Sequence, residues 1–149
     1  MLETLAPALA LALAVAPAPS ETEPELRRVV ADYVGLYRRE TLPQWRTLFL
    51  PSFSVASANA DGTARLRNLD EFYGAQERYL ASGRAIKEEL FNLAIERKGR
   101  LASVWADFVL TDEDGKSRGK LVLLLIEEKG EWRIHSLMFA YDEANTPSR

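Results

Sequence analysis

The chain has no cysteine and a single histidine, His135, among its 149 residues. Without cysteine it has no disulfide, thiolate metal site or cysteine nucleophile, and one histidine cannot build a multi-histidine metal centre. A basic surplus is missing as well, since 19 Lys and Arg stand against 22 Asp and Glu. Nucleic-acid-binding proteins normally need that surplus to displace counterions from phosphates. We therefore expect no metal, no cofactor and no nucleic-acid partner.

A hydrophobic run long enough to cross a membrane is also missing. The apolar segment at residues 5–18 has about fourteen residues, whereas a membrane-spanning helix needs ~20. Small residues follow it, Ala18-Pro19-Ser20, and they suit a signal-peptidase cut before Glu21. Residues 1–20 are therefore predicted to be a signal peptide or a disordered leader, although Glu3 is acidic where export signals are basic. The predicted location is periplasmic or secreted, with cytoplasmic as the alternative.

The composition that remains is ordinary for a soluble protein, with 47% apolar and 28% charged residues. One domain is expected, because a single fold of about 150 residues already buries roughly 70% of the surface of its unfolded chain. We place this domain at residues 22–142 and treat residues 143–149 as a tail. The charged runs at 87–89, 96–98 and 112–114 flank predicted turns and strand ends, and we expect them to be solvated surface.

Helical signals dominate the first part of the domain. Thr22-Glu23-Pro24-Glu25 is a capping box, and the apolar residues after it recur every three or four positions. This pattern predicts an amphipathic helix that ends near Arg38 and Arg39. A second, short helix is predicted to begin at Thr41, with Pro43 in its first turn.

A strand and a third helix are predicted next. Residues 53–58 read as a short strand, and Asp61-Gly62 is typical of a turn. Asn68 then precedes an apolar-periodic segment that ends at Gly83, which predicts a helix capped at both ends. The three predicted helices all lie in the N-terminal part of the chain.

Strands follow in the second half. Three turn dipeptides, Lys98-Gly99, Asp114-Gly115 and Lys129-Gly130, separate four runs rich in β-branched and aromatic residues. This spacing predicts an antiparallel meander. The expected fold is therefore α+β, with three N-terminal helices packed on a curved antiparallel sheet.

Two-residue turns at these dipeptides fix the registers and divide the strand residues between two faces. One face is apolar nearly throughout and includes Leu123. The other face is mixed and carries Asn92, Trp105, Asp107, His135 and Tyr141. In these registers Asn92, Trp105, Leu124 and His135 fall in one row across the strands.

Both faces need cover, because an exposed apolar patch of that size is unusual on a monomer. Helices can cover one face, and we expect a second copy of the chain to cover the other. Alternation alone does not decide which face is the pocket. We expect Trp105, Asn92 and His135 to face one cavity under Tyr33.

The order of these elements resembles the nuclear transport factor 2-like superfamily, which includes SnoaL-like domains and ketosteroid isomerase. The resemblance covers residues 22–142. It is carried by the following short motifs and their spacing: Leu48-Phe49, Leu69-Asp70-Glu71-Phe72-Tyr73, Arg118-Gly119-Lys120 and Glu131-Trp132-Arg133-Ile134. The resemblance implies a cone-shaped α+β barrel, in which helices close over a ligand pocket and the outer sheet face commonly pairs two subunits.

The ketosteroid isomerase pattern is only partly present. Tyr33 matches the oxyanion-stabilising tyrosine of the first helix. The general base should lie where this chain has Ser57, and the second acid should lie where it has Leu124. Neither residue can exchange a proton with carbon, so the resemblance does not extend to steroid isomerisation.

The predicted function is an exported domain that binds a small, mostly apolar molecule with one or two polar groups, as a homodimer. The predicted ligand-binding residues are Tyr33, Asn92, Trp105, Asp107, His135 and Tyr141, and no catalytic residue is assigned. Two alternatives remain open. One is an acid–base isomerase or dehydratase that uses His135 and Asp107, and the other is a purely structural dimerisation domain.

Overall fold

The computed structural model describes residues 22–142. The predicted signal peptide and the predicted tail both lie outside the described residues. No helix in the described range is long and apolar enough to cross a membrane. The helices and strands follow in this order: α1 (Thr22–Gly35), α2 (Leu42–Arg46), β1 (Phe49–Ala58), β2 (Ala64–Asn68), α3 (Leu69–Ala81), β3 (Lys87–Lys98), β4 (Leu101–Asp112), β5 (Gly115–Glu128) and β6 (Glu131–Tyr141).

The six strands form one open sheet in the order β2-β1-β6-β5-β4-β3. Neighbouring strands are antiparallel except β1 and β6, which are parallel. The α+β class is confirmed, but two details of the prediction are wrong. The sheet is mixed rather than antiparallel, and the three helices do not all lie N-terminal to the sheet, because α3 follows the β1–β2 hairpin. The parallel pair joins the first strand to the last, and no local turn signal announces such a distant contact.

Helix boundaries follow the capping chemistry of the sequence most closely at α3. The Asn68 side chain accepts a hydrogen bond from the Glu71 backbone N–H at 2.9 Å, and the Glu71 carboxylate accepts one from the Asn68 N–H at 3.0 Å. Gly83 follows the helix with φ of +76°, a conformation that glycine adopts without steric cost. The prediction for this helix is confirmed, whereas α1 ends at Gly35, a turn earlier than Arg38 and Arg39.

The core lies between the helices and one face of the sheet. The buried indole of Trp45 donates to the Tyr33 backbone carbonyl at 2.8 Å and so links α2 to α1. Its ring also packs against Phe49 on β1 and Phe72 on α3, with centroids 4.6 and 5.6 Å apart. Such contacts between aromatic rings add to the free energy of apolar burial. Trp45 therefore joins all three helices to the sheet.

The turns of the meander shift two of the predicted registers by two residues. Lys98 pairs with Leu101, so the turn is Gly99-Arg100, and Asp112 pairs with Gly115 around Glu113-Asp114. Trp105 therefore lies opposite Val122, not Leu124. A shift of two residues preserves which face each side chain occupies. The predicted row of Asn92, Trp105, Leu124 and His135 is wrong, but most of the division into faces on β4 and β5 is confirmed.

Two β-bulges change the division into faces on the other strands. On β6 the pairing passes from Leu125–Ile134 directly to Leu124–Ser136, which leaves His135 without a partner across the strand. On β3 the pairing passes from Phe91–Asp107 to Ala94–Trp105. An extra residue in one strand exchanges the faces of every residue beyond it. Leu137 is consequently buried and Met138 is exposed.

Candidate functional site

A cavity of about 120 Å³ lies between the helices and the covered face of the sheet. We call this covered side the inner face and the opposite side the outer face. Seven of its thirteen lining residues are aromatic. The lining residues come from all three helices and from four strands, and two more, Tyr37 and Ile86, come from adjoining loops. The lining residues are Tyr33, Tyr37, Trp45, Phe72, Gln76, Ile86, Glu88, Phe108, Leu110, Leu121, Leu137, Phe139 and Tyr141.

Glu88 is the one acidic residue that lines the cavity. It lies on β3 opposite Leu110 of β4, and both residues contribute to the cavity wall. Burial disfavours the carboxylate form and raises the pKa of Glu88 from 4.5 to about 7. A carboxyl group with this pKa changes charge near neutral pH, so it can exchange a proton or bind a positive charge under ordinary conditions.

Three tyrosines surround the same carboxyl group. Burial raises the pKa values of Tyr33, Tyr37 and Tyr141, and the negative charge of Glu88 raises each of them further. All three phenols therefore stay protonated at neutral pH and can donate hydrogen bonds. The Tyr37 hydroxyl already donates to the Gln76 side-chain oxygen. Within residues 22–142, no hydrogen bond engages the Tyr33 hydroxyl, the Tyr141 hydroxyl or the Glu88 carboxyl.

Of the six residues predicted from the sequence to bind ligand, the structure brings Tyr33 and Tyr141 to the cavity. Tyr33 comes from α1, where the helical period turns it inward, and it is buried. Tyr141 reaches the inner face because the bulge at His135 exchanges the two faces of β6. The prediction had placed Tyr141 together with Trp105 and Asp107, and the structure separates them.

Asn92 and Asp107 meet each other, but on the outer face of the sheet. Asn92 occupies the β3 bulge with φ of +53°, a backbone conformation that asparagine tolerates better than most residues. Its amide donates to the Asp107 carboxylate at 2.7 Å, and the Lys120 ammonium donates to the other oxygen at 2.9 Å. These two hydrogen bonds, together with the positive charge of Lys120, hold the pKa of Asp107 below its usual range.

Trp105 and His135 are also absent from the cavity lining. Trp105 alternates with the buried Val104 and Ala106, and its ring is 55% exposed on the outer face. His135 is half-buried at the β6 bulge, where its Nδ1 lies 3.1 Å from the Ser136 hydroxyl. The expected cavity formed by Trp105, Asn92 and His135 under Tyr33 is therefore wrong, because the helices cover the apolar face instead.

Glu88 was missed in the sequence because it belongs to the charged run at 87–89. The alternation of inward and outward residues along β3 is the pattern from which the position of Glu88 could have been predicted. Ile86, Glu88 and Leu90 are spaced two apart, so an apolar side chain on each side predicts an inward position for Glu88. Lys87 and Glu89 point the other way and pair with each other at 2.9 Å, as expected for solvated surface.

Residues 26–139 match the family model of the SnoaL-like domain. No curated protein sequence matches the chain. Solved structures do resemble it, and they include a nuclear transport factor 2-like protein of unknown function from Pseudomonas putida. That structure has a TM-score of 0.68 and 13% identity, over 85% of this chain and 93% of that chain.

Two further structures have similar scores. A nuclear transport factor 2-like protein of unknown function from Shewanella baltica has a TM-score of 0.63 and 14% identity, over 88% of this chain and 100% of that chain. A candidate aromatic ring hydroxylase from Novosphingobium aromaticivorans has a TM-score of 0.67 and 13% identity, over 84% and 92%. At these identities the likeness establishes a common fold and leaves the chemistry to the site itself.

Proposed function

The chain belongs to the SnoaL-like domain family, and from that premise we propose that it binds a small, mostly apolar molecule with one or two polar groups. The single observation that carries the proposal is the aromatic cavity into which Glu88, Tyr33 and Tyr141 turn. Pockets of this kind bind through apolar contact, while a few polar groups orient the ligand. The two phenols can donate hydrogen bonds, and the carboxyl group can donate or accept one.

The size of the cavity limits the ligand. Its volume of about 120 Å³ is close to the roughly 150 Å³ of an apolar protein cavity that holds benzene. The described cavity therefore suits a ligand, or a ligand fragment, of about six heavy atoms. Binding of this kind needs no bound metal and no large conformational change.

A cavity-filling variant tests this proposal. Leu121→Phe adds a ring at a lining position, whereas Leu124→Phe makes the same change on the outer face of the same strand. We expect benzene to shift the methyl resonances of Leu137 saturably in the wild type and in Leu124→Phe, but not in Leu121→Phe. Mass spectrometry of the native protein from its own host would show any ligand that it retains. Benzene binding unaffected by Leu121→Phe would contradict the proposal.

An acid–base enzyme is the second candidate, and Glu88 favours it. A carboxyl group whose pKa is about 7, next to phenols that can stabilise an oxyanion, suits proton transfer at neutral pH. Asp107 suits that role less, because Lys120 and Asn92 engage both of its oxygens. If the retained compound is turned over, Glu88→Gln should lower the rate at least about a hundredfold, equivalent to ~2.7 kcal/mol of barrier. Turnover that is unchanged in Glu88→Gln would exclude this candidate.

We further propose that the outer face pairs two copies of the chain. Trp105, Val122 and Met138 lie in one row across β4, β5 and β6, and Trp105 and Met138 are 55% and 46% exposed. Phe91 and Leu124 extend this exposed apolar surface. Apolar surface of this kind typically marks an interaction site. Sedimentation at micromolar concentration should give a dimer, and a monomer would contradict this proposal.

Export remains a separate proposal, and it rests on the apolar segment before Glu21 alone. Expressed with its native N-terminus in a Gram-negative host, the protein should be recovered from the periplasm without residues near 1–20. Full-length protein in the cytosol would contradict the proposal and support a cytoplasmic location.

A further inference from the structure

The charges around the cavity are unbalanced. Glu88 is acidic, and none of the thirteen described residues that line the cavity is Lys, Arg or His. Lys87, the neighbour in sequence, pairs with Glu89 on the other side of the strand. Buried charges in proteins are normally paired with an opposite charge. The carboxylate form of Glu88 therefore lacks a counter-charge within the described cavity wall.

Aromatic rings line the cavity that contains Glu88 on two sides. On the helix side, Trp45 lies 5.3 Å from Tyr37 and 6.1 Å from Tyr33, measured between ring centroids. On the sheet side, Phe108 lies 5.4 Å from Tyr141 and 6.4 Å from Phe139. The faces of aromatic rings carry partial negative charge and attract cations, which is how aromatic cages bind quaternary ammonium groups.

The electrostatic potential at the β6 side of the cavity is negative as well. Glu88 and Asp112 both act on the Tyr141 phenol and raise its pKa, in addition to the effect of burial. Arg84 acts on Tyr79, but it also lies 3.7 Å from the Asp114 carboxylate, which offsets its charge. Because Glu88 and Asp112 would both repel a negatively charged ligand beside Tyr141, the cavity disfavours carboxylates and phosphates as ligands.

We propose that the cavity binds a small organic cation, a protonated or quaternary amine, between the Glu88 carboxylate and the surrounding aromatic rings. This inference rests on the proposed ligand-binding function and narrows its ligand class. The cation supplies the charge that Glu88 lacks, and its alkyl groups contact the rings. A quaternary ammonium group with four methyls matches the small volume of the cavity. It carries no N–H, so it needs no hydrogen-bond acceptor and can contact the rings through its methyl groups.

Binding should depend on pH in a defined direction. The groups that face Glu88 are the phenols of Tyr33 and Tyr37 from the helix side and of Tyr141 from β6, and all three remain neutral below pH 10. Glu88 is thus the group that titrates, and only its deprotonated form attracts a cation. With a pKa of about 7, affinity should be about thirtyfold higher at pH 8.5 than at pH 5.5.

The test uses three small, branched probes that differ in charge. Tetramethylammonium is a cation, tert-butanol is neutral and pivalate is an anion. Their affinities for the full chain are measured by calorimetry or NMR titration at both pH values. We expect tetramethylammonium to bind more tightly than tert-butanol at pH 8.5, and pivalate not to bind. Glu88→Gln keeps the shape of the side chain but removes its charge, and it should weaken tetramethylammonium binding at least about tenfold and abolish its pH dependence.

Controls separate this charge from other effects. Glu89→Gln removes the same charge from the next residue and should leave tetramethylammonium binding unchanged. Far-UV circular dichroism of each variant shows whether it is folded.

The outcomes distinguish the two proposals. If tert-butanol and benzene bind but tetramethylammonium does not, the cation inference is wrong while the ligand-binding function stands. If no probe binds, both are wrong. Tetramethylammonium binding that is independent of pH, or equal in Glu88→Gln, would also overturn the role of Glu88.

Discussion

Glu88 and Asp107 are two acidic residues on neighbouring strands of one sheet, and their environments shift their pKa values in opposite directions. Glu88 lies on the inner face among aromatic rings, and burial raises its pKa to about 7. Asp107 lies on the outer face, where Asn92 and Lys120 donate hydrogen bonds to it and lower its pKa. The side chains differ by one methylene group, so the environment decides which of them can change charge at neutral pH.

The comparison also indicates what each face is suited to bind. On the outer face Asp107 pairs with Lys120, and large apolar side chains are exposed on the same face. That combination suits a surface that meets another protein. On the inner face no basic residue lines the cavity beside Glu88, and aromatic rings form much of the cavity wall. This combination suits a small ligand that carries a positive charge.

The largest expected effect compares one substitution on the two faces. Leu123 is fully buried on the inner face, while Leu124, the next residue, is 37% exposed on the outer face. Leu123→Glu should unfold the chain, because an unpaired buried charge costs more than about 4 kcal/mol. Leu124→Glu should fold and sediment as a monomer. Circular dichroism and sedimentation check both variants, and a folded Leu123→Glu would show that the faces are assigned incorrectly.

The second-largest expected effect is on the pH dependence of the free energy of unfolding, to which Glu88 and Asp107 should contribute differently. Since the folded protein holds a proton on Glu88 up to about pH 7, it binds more protons than the unfolded chain between pH 4.5 and 7. The free energy of unfolding should therefore fall by up to roughly 3 kcal/mol as pH rises through that window. Glu88→Gln should abolish this loss and be the more stable protein at pH 8, as measured by urea denaturation.

Asp107→Asn is the control for that measurement. The pKa of Asp107 is lowered from 3.8, so its contribution to stability is present above pH 3.8 and is lost only at lower pH. Between pH 5 and 8 the unfolding free energy of Asp107→Asn should follow the wild-type curve in shape. A change in its slope in this window would mean that Asp107 is not the solvent-exposed ion pair described here.

The smallest effect concerns the bulge that carries Asn92. Its φ of +53° is strained for most side chains, and alanine there should cost about 1 kcal/mol relative to asparagine. Asn92→Gly should restore most of this loss, because glycine adopts positive φ without a steric cost. Urea denaturation of the two variants measures the difference. Equal stability of the alanine and glycine variants would contradict the strained backbone at this bulge.

Much of the fold could be predicted because its signals are local. The capping box at Asn68, the glycine after α3 and the apolar alternation on β4 all act within a few residues. The extension of β1 to Phe49, the short strand β2 and the parallel pairing of β1 with β6 could not be predicted in this way. They depend on contacts between distant parts of the chain, which no single segment encodes.

The site was predicted less well than the fold, for a related reason. Tyr33 follows from helical periodicity, whereas the position of Tyr141 depends on the bulge at His135, six residues away, which has no clear mark in the sequence. Trp105 was predicted to face the pocket because the assumed registers set it in one row with Asn92 and His135, and in the structure it is exposed on the outer face. Glu88 was overlooked because a charged residue between two others normally indicates solvent.

The bulge at His135, which has no partner on the neighbouring strand, restricts how the length of β6 can vary among related proteins. Beyond the bulge, the residues that reach the ligand cavity are Leu137, Phe139 and Tyr141. Loss or gain of one residue between the bulge and Leu137 would turn all three outward and bring Met138 and Ala140 inward. Natural relatives should therefore differ in length here by two residues or by none, and a relative that lacks the bulge should carry its aromatic residues at the alternate positions.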